Sequence, residues 1–556
     1  MRKTIALILA LVMAFGMCAC SKGASDKPGS GTPDNSPSIE VSNSDKENAV
    51  MNAEHEYTSV VISLSSNAST LCPYASDGGG REYTRATCFE PLTYTNAQGE
   101  WEMVIAKSVT SPETGVYDVE IYDYVYDHAG NHVTASDVVF SYDKFIEDGN
   151  NASKVANLDS YEATGDFTIR FVFSKDLKGC AQELFDKCMI ITEKAWNDSP
   201  DNANGTTPMT TSPVGTSPYA LSSFESGNFF EYEYTGNYWQ TDASLVSTRS
   251  MYNVDKIRFV VYTDRSTEAI ALEKGETDCT GGLNYADYVT FCNPDTFEPN
   301  DGYNIDVITN NALYYLTFNC GENSPLSDIN LRKAICCAID VNSCNYLGFG
   351  GGQYANPAGM TNPVWLDYTD AVDDSYYYDY DIEQAKAYLA QSSYKGETLK
   401  MLVCQNNSAR TMATAIQSYC NAIGIKMELL EYDSAVYNEE ARDESGTHYD
   451  IDFRNQRANY YAWGALGEFS ADTYSNGKNH NFIYDEKLQN LYDQMSLSSG
   501  TEQDYVDFCN YMEEQCYAYA LSVYYQPAFT NSRFTNIVRV PQGNFILGAC
   551  TISPDA

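Results

Sequence analysis

The chain has 556 residues, with 76 acidic against 34 basic side chains and a formal net charge of −42. That balance argues against nucleic acid or an anionic membrane surface as partner and suits solubility outside the cell. The length exceeds one ordinary core, so two or three lobes are expected, and 43% hydrophobic residues with 45 Tyr and 23 Phe can fill them.

Residues 1–20 read as a targeting segment. Arg2 and Lys3 form a basic start, Thr4 to Met17 is a short apolar run, and Met17-Cys18-Ala19-Cys20 ends in small residues. The run is shorter than a bilayer span. Residues 21–54 are Ser, Gly, Pro, Asp, Asn and Lys with almost no apolar side chains, a composition expected of a flexible tether. Folded structure is expected from Tyr57 to Ser65, where Val60, Ile62 and Leu64 alternate. The stretch Asp77 to Tyr83 reads as a glycine loop. Gly79 and Gly80 would let backbone approach a ligand, and Arg81 is a candidate to meet a carboxylate, with Tyr83 beside it. A helix-like run then ends at Cys88-Phe89-Glu90-Pro91-Leu92.

Tyr117, Val119 and Ile121 alternate with Asp118 and Glu120 as a strand. Thr134 or Ser136 is the expected cap of a helix whose buried stripe is Val138, Val139, Tyr142 and Phe145. Phe167, Ile169, Phe171 and Phe173 give another strand, and the polar, Pro-punctuated stretch from Thr192 to Pro213 returns the chain from an inserted lobe. From Pro213 to Leu283 the pattern is strand, a turn at Glu225 to Asn228, strand, aromatic-rich loop and strand. A short helix capped by Ser266 and stopped by Gly275 follows. Ala312 to Asn319 reads as a strand, and Pro325 to Asp340 as a helix. Asp381 caps the next helix. Leu399, Met401 and Val403, then the helix of Met412, Ile416, Tyr419 and Ile423, then Ile425, Met427 and Leu429 make a β-α-β unit. A last helix near Glu502 to Ser522 leads into terminal strands.

Four features in order carry a resemblance: G-T-S-P-Y at Gly215 to Tyr219, the Tyr238-Trp239 pair, V-D-K-I-x-F at Val254 to Phe259, and G-E-x-D at Gly275 to Asp278. With Glu90-Pro91-Leu92, Thr134 to Ser141 and Pro325 to Asp340, they are similar to the extracytoplasmic solute-binding proteins of peptide-type ABC importers. That resemblance implies an α/β fold, two-lobed and periplasmic-binding-protein-like (type II, large class with an extra subdomain), with mixed sheets flanked by helices around a hinged cleft. Residues 55–311 with 523–556 would form the first lobe, including a subdomain over about 93–205, and residues 312–522 the second. Met17 to Cys20 resembles a lipobox, with Cys20 as the lipid attachment point on the outer face of the membrane. The implied partners are a small-molecule or peptide ligand and permease subunits. The protein would be a monomer without cofactor or metal and would bind no nucleic acid.

The resemblance also places a ligand loop at Asn455 to Trp463. Asn455, Arg457, Asn459, Tyr460, Tyr461 and Trp463 are its candidates, with Asn459 roughly where an Asp gripping a peptide amine is expected. Gln405 and Asn406 stand where dipeptide receptors carry an Arg. Both charged anchors of a short-peptide site are thus missing, which favours a ligand held by hydrogen bonds and stacking, a longer peptide, a glycan or another polar solute.

Catalytic patterns are sparse. There is no G-x-S-x-G, H-E-x-x-H or phosphate loop, and only five His are present. His128 and His132 beside Asp127 fall in a turn, where their spacing gives no common face, so they read as surface residues. Of seventeen Cys, removing Cys18 and Cys20 leaves fifteen, expected as small buried hydrophobes. A surface hydrolase is the competing class.

Overall fold

The computed structural model describes residues 57–554, apart from 75–79, 149–154, 351–353, 358, 373–377, 444, 459, 471–479 and 541–542. The targeting segment with Cys20, the tether, Gly79 and Asn459 lie outside the described residues.

Apolar strands build one twelve-stranded sheet. Its strands are β1 (Ser59–Leu64), β2 (Tyr219–Glu225), β3 (Phe229–Tyr234), β4 (Lys256–Val261), β5 (Cys279–Thr280), β6 (Tyr303–Thr309), β7 (Ala312–Phe318), β8 (Thr398–Cys404), β9 (Lys426–Tyr432), β10 (Ile451–Arg457) and β11 (Ala518–Asn531), with the short Tyr354–Ala355 strand as the twelfth. The main path runs β9-β8-β10-β7-β11-β5-β1-β4-β3-β2, and β6 also pairs with β11. All seven residues of β7 are buried, as expected of a strand covered on both faces. β8 and β9 pair in parallel around the helix Asn407–Ala422, the expected β-α-β unit.

Buried side chains gather into two main cores. One spans Val60 to Cys279 and resumes at Ala528. The other spans Leu313 to Val523. This is the two-lobe α/β fold. β11 belongs to both lobes, because Ala518 to Ser522 pairs with β7 while Tyr525 to Asn531 pairs with β6. The second crossing, at Asn310 and Asn311, lies beside it. The Asn310 N–H donates to the Tyr524 carbonyl at 2.9 Å, and its side chain donates to Gln526 at 2.7 Å. Asn362 brackets this crossing by donating to the carbonyls of Asn310 and Ala312.

Within the first lobe, a separate four-stranded sheet (Ala106–Glu113, Val116–Ile121, Thr168–Phe173 and Leu158–Gly165, in that spatial order) packs under the helix Ala135–Glu147. Tyr142 of that helix meets Phe171 with ring centroids 4.9 Å apart. The Thr134 N–H donates to Asp137 at 2.9 Å, half of a capping box. The helix Arg265–Glu273 departs from expectation. Its cap is Asp264, which accepts the Thr267 N–H at 2.9 Å, because the helix starts one residue before Ser266.

The residues behind the family resemblance turn out to fasten the first lobe. Glu90 accepts from Tyr238 Oη at 2.6 Å and Trp239 Nε1 at 2.9 Å, joining two of the motifs. Asp255 accepts the Thr58 N–H at 2.6 Å, and Asp278 accepts the Val61 N–H at 2.7 Å. Gly215 is required for close approach, since a Cβ there would sit 1.9 Å from the Cys88 carbonyl oxygen. His128 braces the same loop and is no surface residue. Its Nδ1 accepts the Gly215 N–H and its Nε2 donates to the Ser217 carbonyl at 2.8 Å. Burial lowers its pKa and so favours the neutral ring. Fourteen of the fifteen thiols in the described residues are buried and Cys404 is half-buried.

The inserted subdomain reaches the second lobe through a few contacts. Lys175 pairs with Asp493 at 2.9 Å, Ser498 donates to Asp176 at 2.6 Å, and Trp463 Nε1 donates to the Lys178 carbonyl at 2.8 Å. Gly179, at φ +63°, lies under the Tyr461 ring, and an added Cβ would be 2.3 Å from Tyr461 Cε2. Gly179→Ala is therefore expected to push the lobes apart and raise the radius of gyration in solution scattering. Adding Tyr461→Ala should restore the compact value. An unchanged scattering curve for the single variant would refute this contact as the lobes' stop.

Candidate functional site

The two crossings leave a cleft between the lobes. A cavity of about 470 Å³ is lined from the first lobe by Arg85 to Thr87, Tyr94, Thr95, Asp186, Lys187, Ser217 to Tyr219, Arg249 and Asn544 to Gly548. Asn311 of the crossing lines it too, and from the second lobe come Arg457 and Tyr460. The sequence-based loop is shorter than expected here. Gly80, Arg81 and Tyr83 belong to the helix Gly80–Cys88, because the run from Gly80 onward lacks Pro or further Gly to stop a helix. Tyr83 packs on Phe259 at 5.7 Å between ring centroids, and it is Arg85, Ala86 and Thr87 that reach the cavity.

Hydroxyls occupy the buried carboxylates at this wall. Asp186 accepts from Thr93 Oγ1 at 2.5 Å, Thr95 Oγ1 at 2.6 Å and, across the cleft, Tyr460 Oη at 2.7 Å. Burial raises the pKa of both Asp186 and Glu90, and these hydrogen bonds pull against the shift. Arg249 is left with the Phe89 carbonyl at 3.2 Å, and its buried Nε has no partner. Burial also lowers the pKa of Arg249, with the nearby Arg85 charge adding to the effect.

The second lobe contributes a hollow of about 500 Å³ lined by Tyr314, Asn406, Tyr437, Asn438, Arg454 to Arg457 and Tyr524, among others. Arg457 lines both spaces and donates to Tyr524 Oη at 3.4 Å. Beneath the hollow lies a buried ionic cluster. Arg454 Nη2 contacts Glu468 at 2.6 Å, Tyr315 donates to Glu468, Tyr437 donates to Asp452 at 2.8 Å, and His480 Nδ1 lies 3.8 Å from Asp452. Burial pushes the Asp452 carboxyl up to about 7 and the His480 ring down to about 4.

The sequence-based candidates thus separate. Arg457 and Tyr460 line the cavity, and Asn406, Asn455 and Arg457 line the hollow. Asn406 also caps the helix Asn407–Ala422, accepting the Ala409 N–H at 2.8 Å. Gln405 is exposed and outside both linings, with Nε2 3.4 Å from the Glu431 carbonyl. Tyr461 and Trp463 are half-buried at the lobe-to-lobe contact. The sequence reading missed Arg85, Asp186, Lys187 and Arg249. Their only signal is charged side chains within short elements, as at Thr84-Arg85-Ala86 and Thr248-Arg249-Ser250, which many surface positions share.

A two-lobe α/β chain with a cleft at its strand crossings defines a solute-binding class of protein. Residues 100–474 match the bacterial extracellular solute-binding proteins, family 5 (middle region). The chain belongs to that family. Two curated relatives are matched over 35% and 64% of their own lengths. The longer match is to the oligopeptide-binding protein AppA of Bacillus subtilis, 22% identical over 377 residues and 62% of this chain. Among solved structures, HbpA2 of Haemophilus parasuis is similar with a TM-score of 0.75 at 18% identity, covering 89% of this chain and 100% of that one. The substrate-binding protein CtaP of Listeria monocytogenes gives 0.74 at 18% identity, covering 89% and 99%. These likenesses establish the fold. Among the described residues, no helix is long and apolar enough to cross a membrane.

Asp452 makes stability depend on pH in a definite direction. Its folded pKa, about 7, lies above the ordinary value of 3.8, so its contribution is full below about 3.8 and is lost as pH rises through 7. His480 runs the other way, contributing above its ordinary 6.5 and losing that as pH falls through about 4. Asp452→Asn removes only the first. The variant should gain on the wild type as pH rises from 4 to 8 in urea unfolding. A stability difference independent of pH would contradict the raised carboxyl.

Proposed function

We propose that this protein is the extracytoplasmic receptor of an ABC importer. It captures a peptide or peptide-like polar solute between its lobes and presents the closed form to a permease, with no catalysis of its own. The observation that carries the reading is a cavity bounded by both lobes at the two strand crossings. A ligand there touches both lobes only when they are closed, and that difference in contacts drives closure. The printed names of relatives point to peptides. AppA is called oligopeptide-binding, and its solved structure, with a TM-score of 0.67 to this chain, holds a nonapeptide.

Arg457, Tyr460, Asn406 and Asn455 are the proposed contacts, with Asn459, Gly79, Gly80 and Arg81 kept from the sequence reading. Tyr461 and Trp463 would act by holding the lobes. Lobe boundaries near 311 and 523 are proposed, with the two crossings as their support, and Cys20 is proposed as the lipid anchor to the outer face of the membrane.

Thermal unfolding of the purified protein against a peptide library tests the receptor. A peptide at a hundred times its dissociation constant should add about 2.7 kcal/mol of stability, and solution scattering should show compaction with it. A library that neither stabilises nor compacts the protein would rule out a peptide ligand. For the anchor, Cys20→Ala should move the protein from the membrane fraction to the soluble one. Retention of the variant on membranes would exclude the lipid.

A further inference from the structure

The cleft carries the opposite charge to the molecule. The whole chain has more than two acidic residues for each basic one. Among the described residues that line the 470 Å³ cavity this is reversed, with Arg85, Lys187, Arg249 and Arg457 facing one carboxylate, Asp186. The described residues that line the adjoining hollow include no carboxylate. In a protein so rich in acids, many cations find one. Arg170 binds Asp118, Arg258 binds Glu231, Arg533 binds Asp278 and Arg454 binds Glu468, each with N···O of 2.9 Å or less. Among the described residues, Lys187, Arg249 and Arg457 make no such ion pair.

The two carboxylates that favour the Arg249 cation, Glu90 and Asp186, make no hydrogen bond or ion pair with it. Asp186 spends its oxygens on Thr93, Thr95 and Tyr460, and Glu90 on Tyr238, Trp239 and Ser250. Arg249 keeps one backbone carbonyl and a methionine sulfur, with Nε unpartnered, and the Arg85 charge is close enough to repel it. A desolvated guanidinium beside a like charge is costly unless an anion completes it.

We infer that the solute is an anion, whose carboxylate or other acidic group lies among Arg249, Lys187 and Arg457. The inference rests on the reading of the cleft as the ligand site. It commits to acidic peptides as the class, since the cavity also holds a buried acceptor with no partner, Asn311 Oδ1, and the adjoining hollow is lined by Asn406 and Asn455. The group from the second lobe, Arg457, would bring its charge to the ligand on closure. Anion capture and lobe closure are then one event.

The test is calorimetric titration of the full-length protein in detergent with three matched hexapeptides alternating Ala with Glu, Gln or Lys. Citrate and inorganic phosphate serve as non-peptide probes. The Glu peptide should bind at least about ten-fold more tightly than the Gln peptide, and the Lys peptide least, a difference on the scale of one charge-assisted contact. The advantage should shrink in high salt and in Arg457→Gln and Lys187→Gln, both checked for an unchanged unfolding midpoint, and in Arg249→Gln. Equal or tighter binding of the Gln or Lys peptide overturns the anion and leaves the peptide receptor standing. Binding of citrate or phosphate with no hexapeptide bound keeps the anion and overturns the peptide class. A preference that survives all three substitutions overturns the assigned residues, and no binding by any probe overturns both readings.

Discussion

The cleft depends on one constraint, that a single strand is shared by two cores. β11 pairs with β7 at its start and with β6 at its end, while its central residues meet the Asn310 crossing. Hydrogen bonds from Asn310 and Asn362 hold the crossings together, so neither lobe can slide against the other without breaking backbone pairs. Bending across the two adjacent, antiparallel crossings remains the soft motion. That geometry turns a pair of ordinary α/β cores into a jaw.

Charge is distributed around that jaw by the same accounting of partners. Arg454 sits in the second lobe with Glu468, Asp452, Tyr437 and Tyr315, so its burial is compensated inside the protein. Arg249 sits in the first lobe beside carboxylates already saturated by hydroxyl and indole donors. The two arginines show how a buried cation becomes structural or available. What decides is whether the nearest acid has oxygens left to offer.

The residues that announce the family lie almost wholly in this framework. Glu90 with Tyr238 and Trp239, Asp255 with Thr58, and Gly215 against Cys88 close the first lobe and touch no proposed ligand directly. A family can therefore be recognised while its ligand stays undefined, because apart from Ser217 to Tyr219 the cavity is lined by positions outside these motifs, such as Arg85, Lys187 and Arg457. The candidate loop from Asn455 to Trp463 shows the same split. Arg457 and Tyr460 face the cavity, while Tyr461 and Trp463 clasp the inserted subdomain.

The sequence by itself determined many strands, their alternation and most of the expected helix caps, since these follow from local periodicity and from caps within a few residues, while the two-lobe class followed from the family resemblance. It also determined the acidic surface. Tertiary structure alone decided the sign of the cleft. Arg85, Lys187, Arg249 and Arg457 lie far apart in the chain, and their neighbours in sequence do not show that they converge on one cavity. It likewise decided that Gly80 and Arg81 start a helix and that His128 is a brace, because the first depends on how far a helix extends once docked and the second on Gly215 and Ser217, 87 and 89 positions away. Pairing of charges in space, unlike hydrophobic spacing along a chain, leaves no periodic trace to read.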